Sequence, residues 1–547
     1  MATNDGQDFN TLNDHGQTPA GELVEGADGG HDARPANLGW TGWLISGSFH
    51  VIVLTMFGLI YWAVKEQEVD TPPVRVATIE RPTEVEKTPV EQSLTPTTEL
   101  PFDAPVVADK PSPINNLDQP EADFSRETDI ESDVPKGREE ATADIETGGQ
   151  AAFLAMGAGP GAAGAFGART GGGKSRGLRK YGGTRASEQS VTSALEWFRK
   201  HQDLDGKWDP TGYAKNCAED PKCEPGVTPE GGVNAVTGYA LLCFLGAGYD
   251  HVTPNRFKAT VKKGLDQLVR VQQADGSWGR NYENAVVVMA LAEAYAMTGD
   301  LALKVPAQKG VDVILARQNK DPKATDPQYA GLGWDYSAPN SRNDTSVTGW
   351  NVMALKSALA AQLTIGTSMD GAKKWLDATW KATNKGWEKL DPYKDVSRFP
   401  YTWTTGTDQV DISDGPADNK DLASAGGTCA VFLGHKQGDV LLETLVNYVL
   451  KNQVPKQYPT NTYYMYYNTM ACFQVGGDKW KTWNAAVRDL LVNAQRKEPG
   501  CFRGSWDVGA QGFHGADTGR TLVTAYSTLC LEVYYRNIRV AEAGAAH

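Results

Sequence analysis

The 547-residue chain is poor in positive charge and in histidine: 53 lysines and arginines stand against 67 acids, giving a formal charge of −14, with eight histidines. So acidic a chain offers no basic face to phosphates, which excludes nucleic acid as a partner. Charge is missing altogether from one long stretch, 43–64 (WLISGSFHVIVLTMFGLIYWAV). At ~1.5 Å per residue this stretch is long enough to cross the ~30 Å hydrocarbon layer of a bilayer. Trp40, Trp43, Tyr61 and Trp62 lie at its two ends, as interfacial aromatics do. It has no basic leader and begins far from Met1, so a transmembrane helix is expected rather than a signal peptide.

Hydrophobic periodicity is also missing from the segments around that stretch. Residues 1–42 carry many acids and little else and are expected to be a disordered tail. Residues 65–150 are rich in proline, with Pro72, Pro73, Pro82, Pro89, Pro96 and Pro101 among others, and read as an extended acidic linker. Residues 151–186 are glycine-rich and are expected to continue it. Within them ARTGGGKS (168–175) has the outline of a phosphate loop, but no strand precedes it, so no nucleotide is expected.

From 187 to 538 two kinds of helical segment alternate. One is amphipathic: in RFKATVKKGLDQLVRVQQ the apolar residues Phe257, Val261, Leu265 and Leu268 recur at helical spacing between lysines and arginines. The other is apolar nearly all round, as in NAVVVMALAEAYAM (284–297) and TGYALLCFLGAG (237–248). Six of each predict an all-α domain, an α/α toroid of about six helix pairs in two concentric rings, followed by a short tail at 539–547. QDLDGKW (202–208), QQADGSW (272–278) and QRKEPGCFRGSW (495–506) punctuate the pairs. Gln202, Gln272 and Gln495 end a helix, a Gly-containing turn follows, and Trp208, Trp278 and Trp506 precede the next segment, so these six residues are expected to be structural.

The Gln-x-x-x-Gly-x-Trp strings resemble the repeat signature of squalene cyclases and protein prenyltransferases. YYMYYNTMACFQVGGDKWKTWNAAVRDLLVNAQ, followed by GSW and TLCLEVYYR, is similar to membrane-anchored cyclase-like proteins of planctomycete-type bacteria. The resemblance implies a toroid with a central cavity, for which Thr345, Trp350, Tyr463, Tyr466 and Arg520 are the candidate lining residues. The cyclase acid motif is reduced here to SRNDT (341–345), with Asn343 where the family's proton donor stands. Asp344 is the remaining catalytic candidate, weighed against a role as helix N-cap.

The zinc ligands of prenyltransferases have no Asp-x-Cys counterpart, and Cys243, Cys429, Cys472 and Cys530 fall in apolar helices, so no metal and no cofactor is expected. Cys217 and Cys223 share a short polar insertion and are expected to form a disulfide in an oxidising envelope.

Ser46 and His50, at i and i+4 in the apolar stretch, resemble the span of TonB-type energy transducers. That resemblance implies membrane motor subunits as partners, a cytoplasmic N-terminus and a periplasmic C-terminal domain on a single-pass inner-membrane protein. The function expected is a non-catalytic, membrane-tethered binding module for a lipid, isoprenoid or peptide. An isoprenoid cyclase or prenyltransferase-like enzyme is the alternative.

Overall fold

The computed structural model describes residues 50, 51, 55, 166–227, 232–413, 420–509, 519–539 and 541. The chain divides into two units, Met1–Asp118 and Gln119–His547. Of the first, His50, Val51 and Thr55 are described; they are helical, and Thr55 Oγ1 donates to the Val51 carbonyl at 2.7 Å. The rest of the 43–64 stretch, Ser46 included, lies outside the described residues, as do the expected tail at 1–42, the linker at 65–150 and most of the tail at 539–547. No helix among the described residues is long and apolar enough to cross a membrane. The expected single-pass membrane placement therefore has no support among the described residues.

The second unit is an α/α toroid. Its outer helices are α2 (Arg185–His201), α4 (Lys258–Arg270), α6 (Leu301–Ala316), α8 (Ser368–Thr383), α10 (Val440–Asn452) and α12 (Gly477–Ala494). The inner ones are α3 (Gly232–Gly246), α5 (Asn281–Thr298), α7 (Thr345–Ala360), α9 (Ala423–Phe432), α11 (Thr462–Val475) and α13 (Gly519–Leu531). Composition separates the sets. In α4 the residues Val261, Leu265 and Leu268 are buried while Lys262, Lys263 and Asp266 face solvent, whereas in α5 everything from Asn284 to Ala296 is buried. Each inner helix packs on the next, and α13 packs back on α3, so the ring closes.

The repeat turns fasten this ring. Gln202 Nε2 donates to Gly206 O in its own turn (2.8 Å) and to Thr260 O in the next outer helix (3.0 Å). Gln272 does the same with Gly276 and Pro306. Gln495 donates to Gly504 O and to Ser190 O, both at 2.8 Å, and so ties the last outer helix to the first. The indole N–H groups of Trp208, Trp278 and Trp506 donate to Phe198 O, Leu268 O and Leu491 O in the preceding outer helix. Gly504 sits at φ +94°, and a Cβ there would lie 2.2 Å from Ser193 O, so only glycine lets the turn approach α2. A fourth turn of this kind, Gln318 to Trp334, makes the same bonds to Leu332, Ser368 and Ile314.

A small antiparallel sheet stands outside the helical plan: β1 (Arg342–Asp344), β2 (Thr402–Thr404) and β3 (Val410–Asp411). The expectation of a linker through 186 is also corrected. Gly171–Tyr181 forms a helix, α1, which packs on the terminal helical turn α14 (Val533–Arg536). Its Gly177 serves contact, since a Cβ there would stand 2.4 Å from Tyr534 O.

Just before α1, Arg169 is buried. Its Nη1 lies 2.7 Å from Glu293 Oε2, and Arg536 Nη2 lies 3.1 Å from Glu293 Oε1. One buried carboxylate thus serves two buried guanidiniums. Burial opposes the charge on all three; their mutual attraction outweighs it at Glu293, whose carboxyl is held below its ordinary range, and at Arg536, whose pKa is raised, whereas at Arg169 burial prevails and the pKa is lowered. Replacing Glu293 by Ala strands two arginines away from water, and equilibrium denaturation is expected to show a loss of roughly 3–5 kcal/mol.

Candidate functional site

Because every outer helix turns back into an inner one, the six inner helices run the same way, and their N-termini gather at one end of the toroid. The axis between them is filled with aromatic rings. Trp350 (α7) stacks on Tyr466 (α11) with centroids 5.7 Å apart and planes within 4°. Tyr239 (α3) meets Tyr526 (α13) edge-on at 5.1 Å. Three hydroxyls form a chain, Tyr239 to Tyr282 at 3.0 Å and Tyr282 to Tyr526 at 3.2 Å. Trp350, Tyr463 and Tyr466, expected as cavity residues, are buried in this packed axis. Among the described residues Trp350 Nε1 and the hydroxyls of Tyr466 and Tyr467 have no hydrogen-bond partner, although each is buried.

Asp344 is the N-cap of α7. Its Oδ1 accepts from Ser346 N (2.9 Å), Val347 N (3.1 Å) and Ser346 Oγ (2.6 Å), and its Oδ2 from Arg342 Nη2 (3.0 Å). It has no exposed surface, and burial is the main cause of a carboxyl pKa above the usual range. Thr345 is committed to the Pro400 carbonyl at 2.7 Å. Arg520, also expected in the cavity, is instead engaged by Glu224 (2.6 and 2.8 Å), Asp507 (2.6 Å) and Ser505 (2.7 Å). That correction has a plain cause: α13 begins beside two polar loops whose acids capture the guanidinium.

The same end carries two carboxyls the sequence patterns did not single out. Glu283 stands in the first turn of α5, half-buried, with its carboxyl pushed up to about 7 mainly by burial; Arg280 partly offsets the shift. Asp335 accepts from Arg342 Nη1 and, at 2.9 Å, from Asn340 Nδ2. Asn281 fastens the two segments together: its amide N donates to Tyr336 O (2.9 Å) and its side chain to Asp335 O (2.6 Å) and Ser337 O (2.8 Å). At the opposite end, Arg169, Glu293, Lys356 and Arg536 border a cavity of about 60 Å³.

Cys217 and Cys223 are free thiols, and the expected disulfide is corrected. Each faces His201, whose Nε2 lies 3.4 Å from Cys217 Sγ and 3.6 Å from Cys223 Sγ. A third thiol, Cys501, lies 3.3 Å from the same nitrogen. No metal was expected from the sequence, yet these four residues converge and are all buried, as a set that could hold an ion. One signal for the set was present: Cys501, like Cys217 and Cys223, sits in a polar turn, whereas the remaining four cysteines are in inner helices.

Neither a protein-family model nor a curated protein matches the chain. Solved structures do. They include the GH76A α-1,6-mannanase from Salegentibacter sp. HEL1_6 (14% identity, 64% of this chain and 98% of that one, TM-score 0.42). An unsaturated glucuronyl hydrolase specific for heparin is also similar (14%, 64% and 96%, 0.45), as is an α-amylase from Clostridium perfringens (11%, 64% and 99%, 0.42). Likeness at this level concerns the arrangement of helices alone. The similar structures named here are glycoside hydrolases, and the non-catalytic binding module and the isoprenoid-cyclase alternative expected from the sequence find no support among them. The resemblance to squalene cyclases reaches the toroid and stops there.

Asp344→Ala removes the acceptor of two helix N–H groups, and thermal unfolding is expected to show a loss of about 1 kcal/mol or more. Asp344→Asn keeps the capping oxygen and should lose less.

Proposed function

We propose that the toroid hydrolyses a glycan at the end where the inner-helix N-termini gather, with Glu283 as proton donor and Asp335 as the second carboxyl. Cleavage of a glycosidic bond needs an acid for the leaving oxygen and a second carboxylate to act on the sugar or on water. The observation that carries this reading is the pairing of their segments through Asn281, which holds the first turn of α5, where Glu283 stands, against the Asp335 loop that leads to α7. The two environments differ as the two roles require. Burial leaves Glu283 with a pKa of about 7, suited to giving a proton near neutrality. Asp335 is paired with the Arg342 guanidinium, whereas Glu283 makes no ion pair among the described residues.

The test is release of reducing ends from a panel of neutral and acidic polysaccharides by the full chain. The wild type is expected to release sugar from at least one. Its rate should fall as pH rises through about 7, because the proton on Glu283 is lost there. Glu283→Gln should lower kcat/KM by ~10²–10⁴ with the fold intact by circular dichroism. A wild type inert across the panel, or a fully active Glu283→Gln, would overturn the reading.

A further inference from the structure

We propose that His201, Cys217, Cys223 and Cys501 bind one zinc ion in a closed tetrahedral site that fastens the first helix pair of the toroid to the last. The geometry is that of a ligand shell. Zinc bonds of ~2.3 Å to sulfur and ~2.0–2.1 Å to nitrogen, at tetrahedral angles, set each N···S separation at about 3.6 Å. The separations from His201 Nε2 are 3.4, 3.6 and 3.3 Å. All four ligand atoms lie within 4.8 Å of one another, which leaves room for a single ion and not for a multi-iron cluster.

The surroundings prepare the ligands. His201 Nδ1 lies 2.7 Å from Trp197 O, so the proton resides on Nδ1 and the lone pair of Nε2 is aimed at the three sulfurs. The Trp197 ring stacks on the imidazole with centroids 4.3 Å apart and fixes its plane. Cys223 N donates to Cys217 Sγ at 3.4 Å and so fixes the position of that sulfur. A disulfide would satisfy two sulfurs and leave a buried thiol and an imidazole nitrogen without a partner. Three thiolates and an imidazole suit zinc rather than calcium or magnesium, which take oxygen ligands. With four protein ligands, all buried, no coordination position is open to a substrate, so the site is structural.

Its place in the fold says what it does. His201 is the last residue of α2, Cys217 and Cys223 belong to the insertion between α2 and α3, and Cys501 lies in the turn after α12. The segments are already in register, with Cys501 N donating to Pro221 O at 3.0 Å and Arg520 joining Glu224 to Asp507. A metal here clips together the two ends of the ring, and such a clip constrains the unfolded chain over a long loop.

The experiment is metal analysis of the full chain purified from zinc-supplemented cells. About one zinc per chain is expected. Cys501→Ser and His201→Ala should each lower the content about tenfold, whereas Cys472→Ala, in an inner helix, should leave it unchanged. If a ligand variant does not fold, the wild type still decides. Its cobalt-exchanged form should show the visible spectrum of a tetrahedral thiolate site, and Cys217, Cys223 and Cys501 should resist alkylation until a chelator is added. A wild type holding no metal, or iron in place of zinc, would overturn the proposal, as would a disulfide mapped among these three cysteines.

Discussion

A helix that is apolar on every side has to be covered on every side, and the six inner helices impose that requirement on the rest of the molecule. Burying one Val, Leu or Phe side chain contributes roughly 1.5–3 kcal/mol, while a whole domain is stable by only about 5–15 kcal/mol. Uncovering Val286, Val287, Val288 and Leu291 of α5, all fully buried, would forfeit roughly 6–12 kcal/mol, comparable to that whole margin. An open superhelix would leave such side chains wet. The packing of α13 back on α3 avoids this, and the amphipathic outer helices supply the second layer.

Closing a ring brings polar groups into places where they must be satisfied. At each repeat turn the glutamine amide and the indole N–H do this by bonding backbone carbonyls of neighbouring outer helices, so the turns also lock adjacent pairs together. At the axial end opposite the helix N-termini, Glu293 pairs with both Arg169 and Arg536. Such a buried triad contributes little net stability, but it dictates where the segment before α1 docks.

A ring built from one chain has a single seam, and polar connections concentrate there. Gln495 reaches Ser190, Arg520 joins two loops, and His201 meets Cys501. Next to the axis, Asn281 performs a similar task on a smaller scale by holding the Asp335 loop against the first turn of α5. The site proposed for chemistry and the site proposed for zinc therefore differ in kind. Glu283 keeps part of its surface open, whereas the four metal ligands are closed off.

The helices, their alternation and the Gln-to-Trp turns were legible in the sequence because each depends on residues close together in the chain. A hydrophobic period shows over a dozen positions, and Gln202 to Trp208 spans seven. Glycine content misled at 171–181, since composition cannot distinguish a missing Cβ that frees the backbone from one that lets Gly177 approach Tyr534. The same limit hid the ligand set, because nothing near Cys217 and Cys223 indicates a third thiol at 501 or an imidazole at 201. By itself the sequence determined that twelve helices would form and which of them would be inner. Only the tertiary structure decided which polar side chains meet, because those meetings depend on ring closure, which joins residues more than 300 positions apart.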